Sequence, residues 1–370
     1  MTSAGWHDAR SVLCVRLDSL GDVLMCTPAI RAIKQSRPGR CVTLLSSRSG
    51  AAAAPFIPEL DAVLEYPAPW MKSSAPHLPA VDMAFIDTLA ARRFDAAAIF
   101  TSYSQSALPA ALVCYLAGIP LRLAHCRENP YQMLSDWLPD PEPEKLVKHE
   151  VRRQLDLVAS VGCTAPGTGL SFAVRDNDIE SVRNRLAVRG VNAARQWVLL
   201  HPGASAPSRR YPPEQWACVI RDLAGRTGLP MVLTGDAAEG ALIEQIAEAS
   251  GGNAISLAGL LDLGELGAAI KLASLVVSNN TGPAHLAAAV GTPLVDVYAL
   301  TNPQHTPWQA ECRVLFHDVP CRFCQKSVCP EGHNDCLRGI TPERIVDAAC
   351  GLLALSARET LRTLLNRPAE

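Results

Sequence analysis

Four stretches of this chain carry residue types that could do chemistry. In Ser278-Asn279-Asn280-Thr281-Gly282-Pro283-Ala284-His285, asparagine and threonine supply turn and cap chemistry after the apolar run Leu275–Val277. Pro283 suits the first turn of a helix because it has no N–H to lose. Amides left open at that helix start, helped by the helix dipole, form a seat for a phosphate or diphosphate. An ordinary strand-to-helix joint has the same sequence signature. In Asp18-Ser19-Leu20-Gly21-Asp22, Asp22 opens a helix after a glycine-containing turn. A carboxylate there either caps the helix or acts as a general base toward an attacking hydroxyl. The dipole depresses its basicity, so it would take the proton late, once bond formation has acidified the hydroxyl. Asp18 is a partner or a competitor in that role.

The third stretch, Gly203-Ala204-Ser205-Ala206-Pro207-Ser208-Arg209-Arg210, is a small-residue loop with two adjacent guanidinium groups. Their fixed forks match phosphate oxygens, although a solvated basic turn would read the same. Glu239 follows Thr234-Gly235-Asp236 and either bonds a ribose hydroxyl or opens a surface helix. The fourth stretch holds Cys321, Cys324, Cys329 and Cys336, with His333 as a substitute fourth ligand. That set fits four-coordinate zinc or iron, while a disulfide pair or a reduced packed loop are the other readings. A closed shell has no open position, so such a metal would be structural.

The elements that must position these groups alternate between strand and helix. Strands are expected at Ser11–Leu17, Cys41–Ser46, Ala62–Glu65, Asp95–Thr101 and Leu121–His125. A second series is expected at Gln196–His201, Pro230–Thr234, Ala254–Leu257, Leu275–Ser278 and Leu294–Tyr298. This alternation implies α/β architecture with parallel sheets covered on both faces. A length of 370 residues suits more than one domain, and the polar stretch Gly162–Gly169 is the natural boundary. The net charge of −2 gives no nucleic-acid footprint. The longest apolar stretch, Leu108–Leu123, is interrupted by Pro109, Gly118 and Pro120, short of the ~18 unbroken residues a spanning helix needs. No signal-peptide core precedes the first strand, and a cytoplasmic location is expected. Of the 13 cysteines, those outside the cluster lie in apolar runs, where cysteine behaves as a small hydrophobe. Absence of G-x-G-x-x-G, Walker A and G-x-S-x-G patterns argues against dehydrogenase, ATPase and α/β-hydrolase chemistry.

The ordered set Val15-Arg16-Leu17-Asp18-Ser19-Leu20-Gly21-Asp22, His201-Pro202-Gly203-Ala204-Ser205 and Asn279-Asn280-Thr281-Gly282-Pro283 resembles glycosyltransferase family 9, the heptosyltransferases. The resemblance runs over nearly the whole chain. It implies a GT-B fold: two Rossmann-like domains whose parallel sheets face a central cleft. The acceptor-binding domain would span 1–168 and the sugar-nucleotide domain 169–345, Cys-rich segment 321–336 included. A helix in 346–370 would pack back toward the first domain. Carried over, the family's catalytic aspartate falls on Asp22, its phosphate-binding lysine on Arg209 and its ribose-binding glutamate on Glu239. Its Asp-Thr-Gly motif falls on Asn280-Thr281-Gly282, and Gly203, Ala204, Ser205 and His285 complete the donor set. Arginine for lysine and asparagine for aspartate are departures, the second removing a negative charge beside the nucleotide sugar. Related autotransporter heptosyltransferases hold iron with cysteines, which favours the metal reading of the cluster.

The expected activity is inverting, metal-independent transfer of a heptose-like sugar from a nucleotide-sugar, ADP-heptose by resemblance, to a cell-envelope glycan such as the lipopolysaccharide core. Arg209 and the Thr281 and Gly282 amides would stabilise the leaving diphosphate, and domain closure would exclude water. Asp18, Ser19, Arg122 and Arg127 are the acceptor-binding candidates. Peripheral association with the inner membrane fits a glycolipid acceptor. A protein or small-molecule acceptor, a GT-B-type sugar-nucleotide epimerase and a non-catalytic binding module are the other readings.

Overall fold

The computed structural model describes residues 3–72 and 77–365. The chain divides into two units, Met1–Ala173 and Val174–Glu370. The first contains strands β1 (Ser11–Arg16), β2 (Cys41–Ser46), β3 (Ala62–Glu65), β4 (Ala96–Ile99), β5 (Leu121–Cys126) and β6 (Asp136–Pro139). Its helices are α1 (Ser3–Asp8), α2 (Leu20–Gln35), α3 (Arg48–Ala51), α4 (Pro79–Arg92), α5 (Leu108–Leu116) and α6 (Glu150–Ala159). The second unit contains β7 (Val198–His201), β8 (Met231–Leu233), β9 (Ala254–Ser256), β10 (Leu275–Asn279), β11 (Leu294–Val297) and β12 (Cys312–Leu315). Its helices are α7 (Asp176–Ala187), α8 (Pro213–Thr227), α9 (Gly240–Ala249), α10 (Leu263–Leu272), α11 (Gly282–Val290), α12 (Asp335–Arg338) and α13 (Pro342–Leu365).

Every strand pair is parallel, in the orders β3-β2-β1-β4-β5-β6 and β12-β11-β10-β7-β8-β9. Counted from its own first strand, each sheet follows 3-2-1-4-5-6, the doubly wound nucleotide-binding order. The order reverses between β1 and β4 in one unit and between β7 and β10 in the other. Loops leaving the carboxyl ends of those four strands flank the crevice where such sheets hold ligands.

The central strands are buried on both faces, as helix-covered parallel strands must be. In the first unit Leu13, Val15 and Ile99 pack with residues of α4 and α5. On the opposite face, Val12, Cys14, Ala96 and Ala98 pack with α2 and α6. Alanines on β4 leave room for those two helices, which also contact each other. In the second unit β7, β10 and β11 pack against α8, α9 and α13. Among the described residues, no helix is long and apolar enough to cross a membrane.

The structure moves two expected boundaries. The first unit extends to Ala173 rather than 168 because the segment after the Gly162–Gly169 stretch is tied to it. Arg31 donates to the carbonyls of Gly167 and Gly169 and to the Ser171 hydroxyl, and the Phe172 ring stacks on Phe56 at 4.8 Å. At the other end, the helix expected in 346–370 begins at Pro342. Ile345, Val346, Ala349, Leu352 and Leu353 belong to the core of the second unit, which therefore does not end at 345. Residues 366–370 lie outside the described residues. Two strands, β6 and β12, had no expectation from sequence: both are four-residue edge strands, never fully buried.

Candidate active site

The β1–α2 loop stands at the switch point of the first unit, and the ion network beneath it sets its shape. Arg16 ends β1 with its side chain 1% exposed. Its guanidinium meets Glu150 at 2.5 Å, Asp18 at 2.9 Å and Asp22 at 3.1 Å. Glu150 is fully buried at the start of α6 and also accepts from Gln154 Nε2 at 2.9 Å. Gln154 Nε2 and Arg153 Nε both donate to the Thr101 carbonyl at the end of β4. A buried ion pair persists only when further hydrogen bonds support it, and Gln154 supplies one to Glu150.

Asp22 occupies the third position of α2. Its Oδ1 accepts from Arg16, and its Oδ2 accepts from the Ser19 N–H at 3.1 Å and the Ser19 hydroxyl at 2.6 Å. Capping and catalysis are therefore not exclusive readings: the cap fixes the carboxylate, and the side chain keeps 15% exposure. Asp18 accepts from Gln105 Nε2 at 2.7 Å. Its pKa is pushed up to about 6, chiefly by burial, with Asp22 and Glu150 adding to the rise and Arg16 opposing it. One guanidinium faces three carboxylates, and that surplus negative charge favours the protonated form of Asp18 as pH falls toward 6.

Beside this loop lies a cavity of about 490 Å³, bounded by Leu17, Asp18, Trp70, Lys72, Phe100 and Gln105 among others. Its size and mixed walls, apolar with a few polar groups, are those of a ligand pocket. Asp18, not Asp22, is on the wall. The acceptor candidates divide here. Asp18 and Ser19 join the loop, and Arg127 lies at a neighbouring polar hollow. Arg122 is 9% exposed and spends its guanidinium on the carbonyls of Ile119, Pro120, Gln132 and Met133. It fastens β5 to the segment before β6 and is not available to a sugar.

In the second unit both switch-point loops carry the expected donor residues. Asn279, the last residue of β10, ties them together: its Nδ2 donates to the Pro202 carbonyl at 2.7 Å and its Oδ1 accepts from Tyr211 N–H. Thr281 is the N-cap of α11, its side chain makes no capping bond, and Pro283 lies in the first turn. This leaves the helix start in the form that holds an anion. Asn280 Oδ1 accepts from the Ala299 N–H, so this side chain supports the loop after β11. His285 is buried within α11.

Glu239 approaches the β7 loop from the β8–α9 connection. Its Oε2 accepts from the Asp236 N–H at 3.1 Å, and the backbone of Ala204 also bonds it. Burial raises its pKa, and Arg210 opposes the rise. Gly203 has no side chain for a reason: a Cβ there would stand 2.1–2.2 Å from the Glu239 carboxylate. His201 Nε2 lies 3.9 Å from Glu239, but burial lowers the His201 pKa to about 4, so the ring is neutral and the contact is no ion pair. Ser205 is exposed at the loop's surface. Arg209 sits in a short turn, Pro207–Arg209, close enough to Asp296 to oppose the rise in its pKa. Asp296 is fully buried in β11 without a hydrogen-bond partner for either oxygen among the described residues, and burial drives it toward the neutral acid.

The cysteine segment does something other than expected. Cys321, Cys324, Cys329 and Cys336 are free thiols, near enough that the other three add to the raised pKa of Cys336, itself due chiefly to burial. Cys321 Sγ lies 3.9 Å from His333 Nε2. Among the described residues, no group of three or more histidine, cysteine or acidic side chains is arranged to hold a metal. The spacing suits a metal, but the geometry does not converge to a shell. Instead the segment braces the donor loop. Ser208, next to Arg209, donates its N–H to the Ser327 carbonyl at 3.0 Å and its hydroxyl to the Lys326 carbonyl at 2.8 Å.

Residues 83–334 match the profile of glycosyltransferase family 9 (heptosyltransferase). Lipopolysaccharide heptosyltransferase 2 of Escherichia coli K12 is 26% identical over 280 residues, 72% of this chain and 77% of that protein. Lipooligosaccharide heptosyltransferase 2 of Campylobacter jejuni is 34% identical over 86 residues, so that match spans only 23% of this chain and 27% of that protein. The structure of Escherichia coli ADP-heptose lipopolysaccharide heptosyltransferase II superposes with a TM-score of 0.72 at 21% identity, covering 94% of this chain and 99% of that one. The fold is therefore the GT-B fold of that enzyme.

Proposed function

Because the chain belongs to glycosyltransferase family 9, we propose that it transfers heptose from ADP-heptose to a hydroxyl of the lipopolysaccharide core, with inversion and without a catalytic metal. The observation that carries this reading is the Asp18–Asp22 pair, held by Arg16 and Ser19 at the switch point of the first unit beside a ligand-sized cavity. Asp22 acts as general base, and Asp18, on the cavity wall, positions the acceptor hydroxyl. The α11 start and Arg209 receive the diphosphate, and Glu239 takes the donor ribose. In a single displacement the acceptor oxygen attacks the anomeric carbon, its proton passes to Asp22, and the bond to the diphosphate breaks. Positive groups already in place at the diphosphate stabilise charge that develops in the transition state, which is where electrostatic catalysis is strongest.

The Escherichia coli relative is an ADP-heptose lipopolysaccharide heptosyltransferase, and the paired motifs here support the same assignment. An acceptor made at the membrane surface would place the protein at the cytoplasmic face of the inner membrane. The test is ADP release from ADP-heptose with deacylated lipopolysaccharide core as acceptor, with and without EDTA. Turnover that survives EDTA and disappears in Asp22→Asn supports the proposal. Turnover with another nucleotide sugar alone, or full activity of Asp22→Asn, refutes it.

A further inference from the structure

The wall made by Ser104, Gln105 and Ser106 has a second side. The same three residues border another cavity of about 300 Å³, closed by His125, Arg127, Glu128 and Asp140. Gln105 connects the two spaces chemically, since its amide donates to Asp18. The second cavity is of the size that encloses one sugar ring, at the small end of ligand pockets, and its walls are mostly polar.

His125 defines what would fit. It is 7% exposed, and its Nε2 lies 3.3 Å from the Arg153 carbonyl oxygen. A carbonyl only accepts, so Nε2 carries the proton. Burial and the neighbouring Arg153 cation lower the ring's pKa to about 4. Nδ1 is therefore an acceptor, and among the described residues no donor meets it. A buried acceptor of this kind calls for an O–H or N–H from a ligand. Around it, Ser104 and Ser106 both donate and accept, and the exposed Glu128 accepts from hydroxyls, while Asp140 is held through both oxygens by Arg153. Arg127 is fixed through the carbonyls of Tyr103 and Glu142. Hydroxyls and a carboxylate beside a histidine acceptor suit a polyhydroxylated ring.

We propose that this cavity is a second acceptor subsite: with the reacting hydroxyl at Asp18 and Asp22, the adjoining sugar ring of the same glycan occupies it and presents a hydroxyl to His125. The proposal rests on the reading that the first unit takes the acceptor. It implies an enzyme that reads at least two rings, and so tells a finished core segment from a single sugar.

The test compares two acceptors, a heptose methyl glycoside and a deacylated core oligosaccharide ending in heptose, each with ADP-heptose. Glu128→Trp fills the cavity from an exposed position, and His125→Phe removes the buried acceptor. Both variants should raise KM for the oligosaccharide by about tenfold or more, a loss of roughly 1.4 kcal/mol. KM for the one-ring glycoside and kcat should stay within about twofold. Equal changes for both acceptors, or none for either, overturn the subsite. If the wild-type enzyme uses neither acceptor, the parent reading fails, and the subsite is judged by saturation-transfer NMR of the oligosaccharide without donor. A signal lost in Glu128→Trp then supports it, and an unchanged signal overturns it.

Discussion

Replacing Gly203 by alanine tests the donor loop with a single methyl group. The new Cβ would stand 2.1 Å from Glu239 Oε2 and 2.2 Å from its Cδ and Oε1. Non-bonded carbon contacts settle at about 3.5–4.0 Å, so the carboxylate must withdraw by more than about 1 Å. Gly203 does not have the left-handed φ that would make alanine costly for backbone reasons, so the effect is confined to that displacement. Withdrawal breaks the 3.1 Å bond from the Asp236 N–H and the bond from Ala204. A hydrogen bond to a charged group is worth about 1.5–3 kcal/mol. Loss of one such bond to the donor ribose then raises KM for ADP-heptose about ten- to a hundredfold. Steady-state ADP release with varied donor should show that rise, with acceptor KM unchanged. Gly203→Ala combined with Glu239→Ala should be no worse than Glu239→Ala alone, because both act through the same carboxylate. Additive losses, or a donor KM within twofold of wild type, would refute the reasoning.

Three further outcomes follow. Asp22→Asn should lower kcat by about 10²–10⁴-fold; its single amide oxygen replaces only one of the two accepting carboxylate oxygens, so the thermal midpoint should fall by an amount equivalent to loss of a helix cap, about 0.5–2 kcal/mol; circular dichroism melts and turnover measure both. Asp18 has a folded pKa of about 6 against an ordinary 3.8, so the native state binds the extra proton. Its contribution to stability is full below about pH 4, falls as pH rises to about 6, and is level above that; urea midpoints across this range should flatten in Asp18→Asn. Ser208→Ala removes the hydroxyl bond to the Lys326 carbonyl, worth about 1 kcal/mol. Donor KM should rise about fivefold, acceptor KM should not, and an equal rise in both would sink the bracing role.

Alternation of strand and helix was legible at every strand but β6 and β12. Cys41–Ser46 and Ala62–Glu65 carry the expected bounds, and the loops at β1, β7 and β10 hold the motif residues at both switch points. What sequence alone could not supply was pairing across distance. Arg16 reads as one more motif residue, and nothing local says that Glu150 lies beneath it. Arg122 and Arg127 look alike in sequence, yet one is spent on four carbonyls and the other borders a cavity. Asp296 hides in an apolar run. At the cysteines, ligand-like spacing fixes the order of thiols along the chain, and among the described residues they form no group arranged to hold a metal.

The ion pair between Arg16 and Glu150 joins residues 134 positions apart, the first strand of the unit to its last helix. Asp18 and Asp22 of the loop supply counter-charge to the guanidinium locally, and Glu150 is its third carboxylate and the one that is fully buried. During synthesis the reactive loop is made early and secured late, when α6 has left the ribosome and docked. A half-built chain thus owns every residue of the loop but not the carboxylate that anchors it from α6.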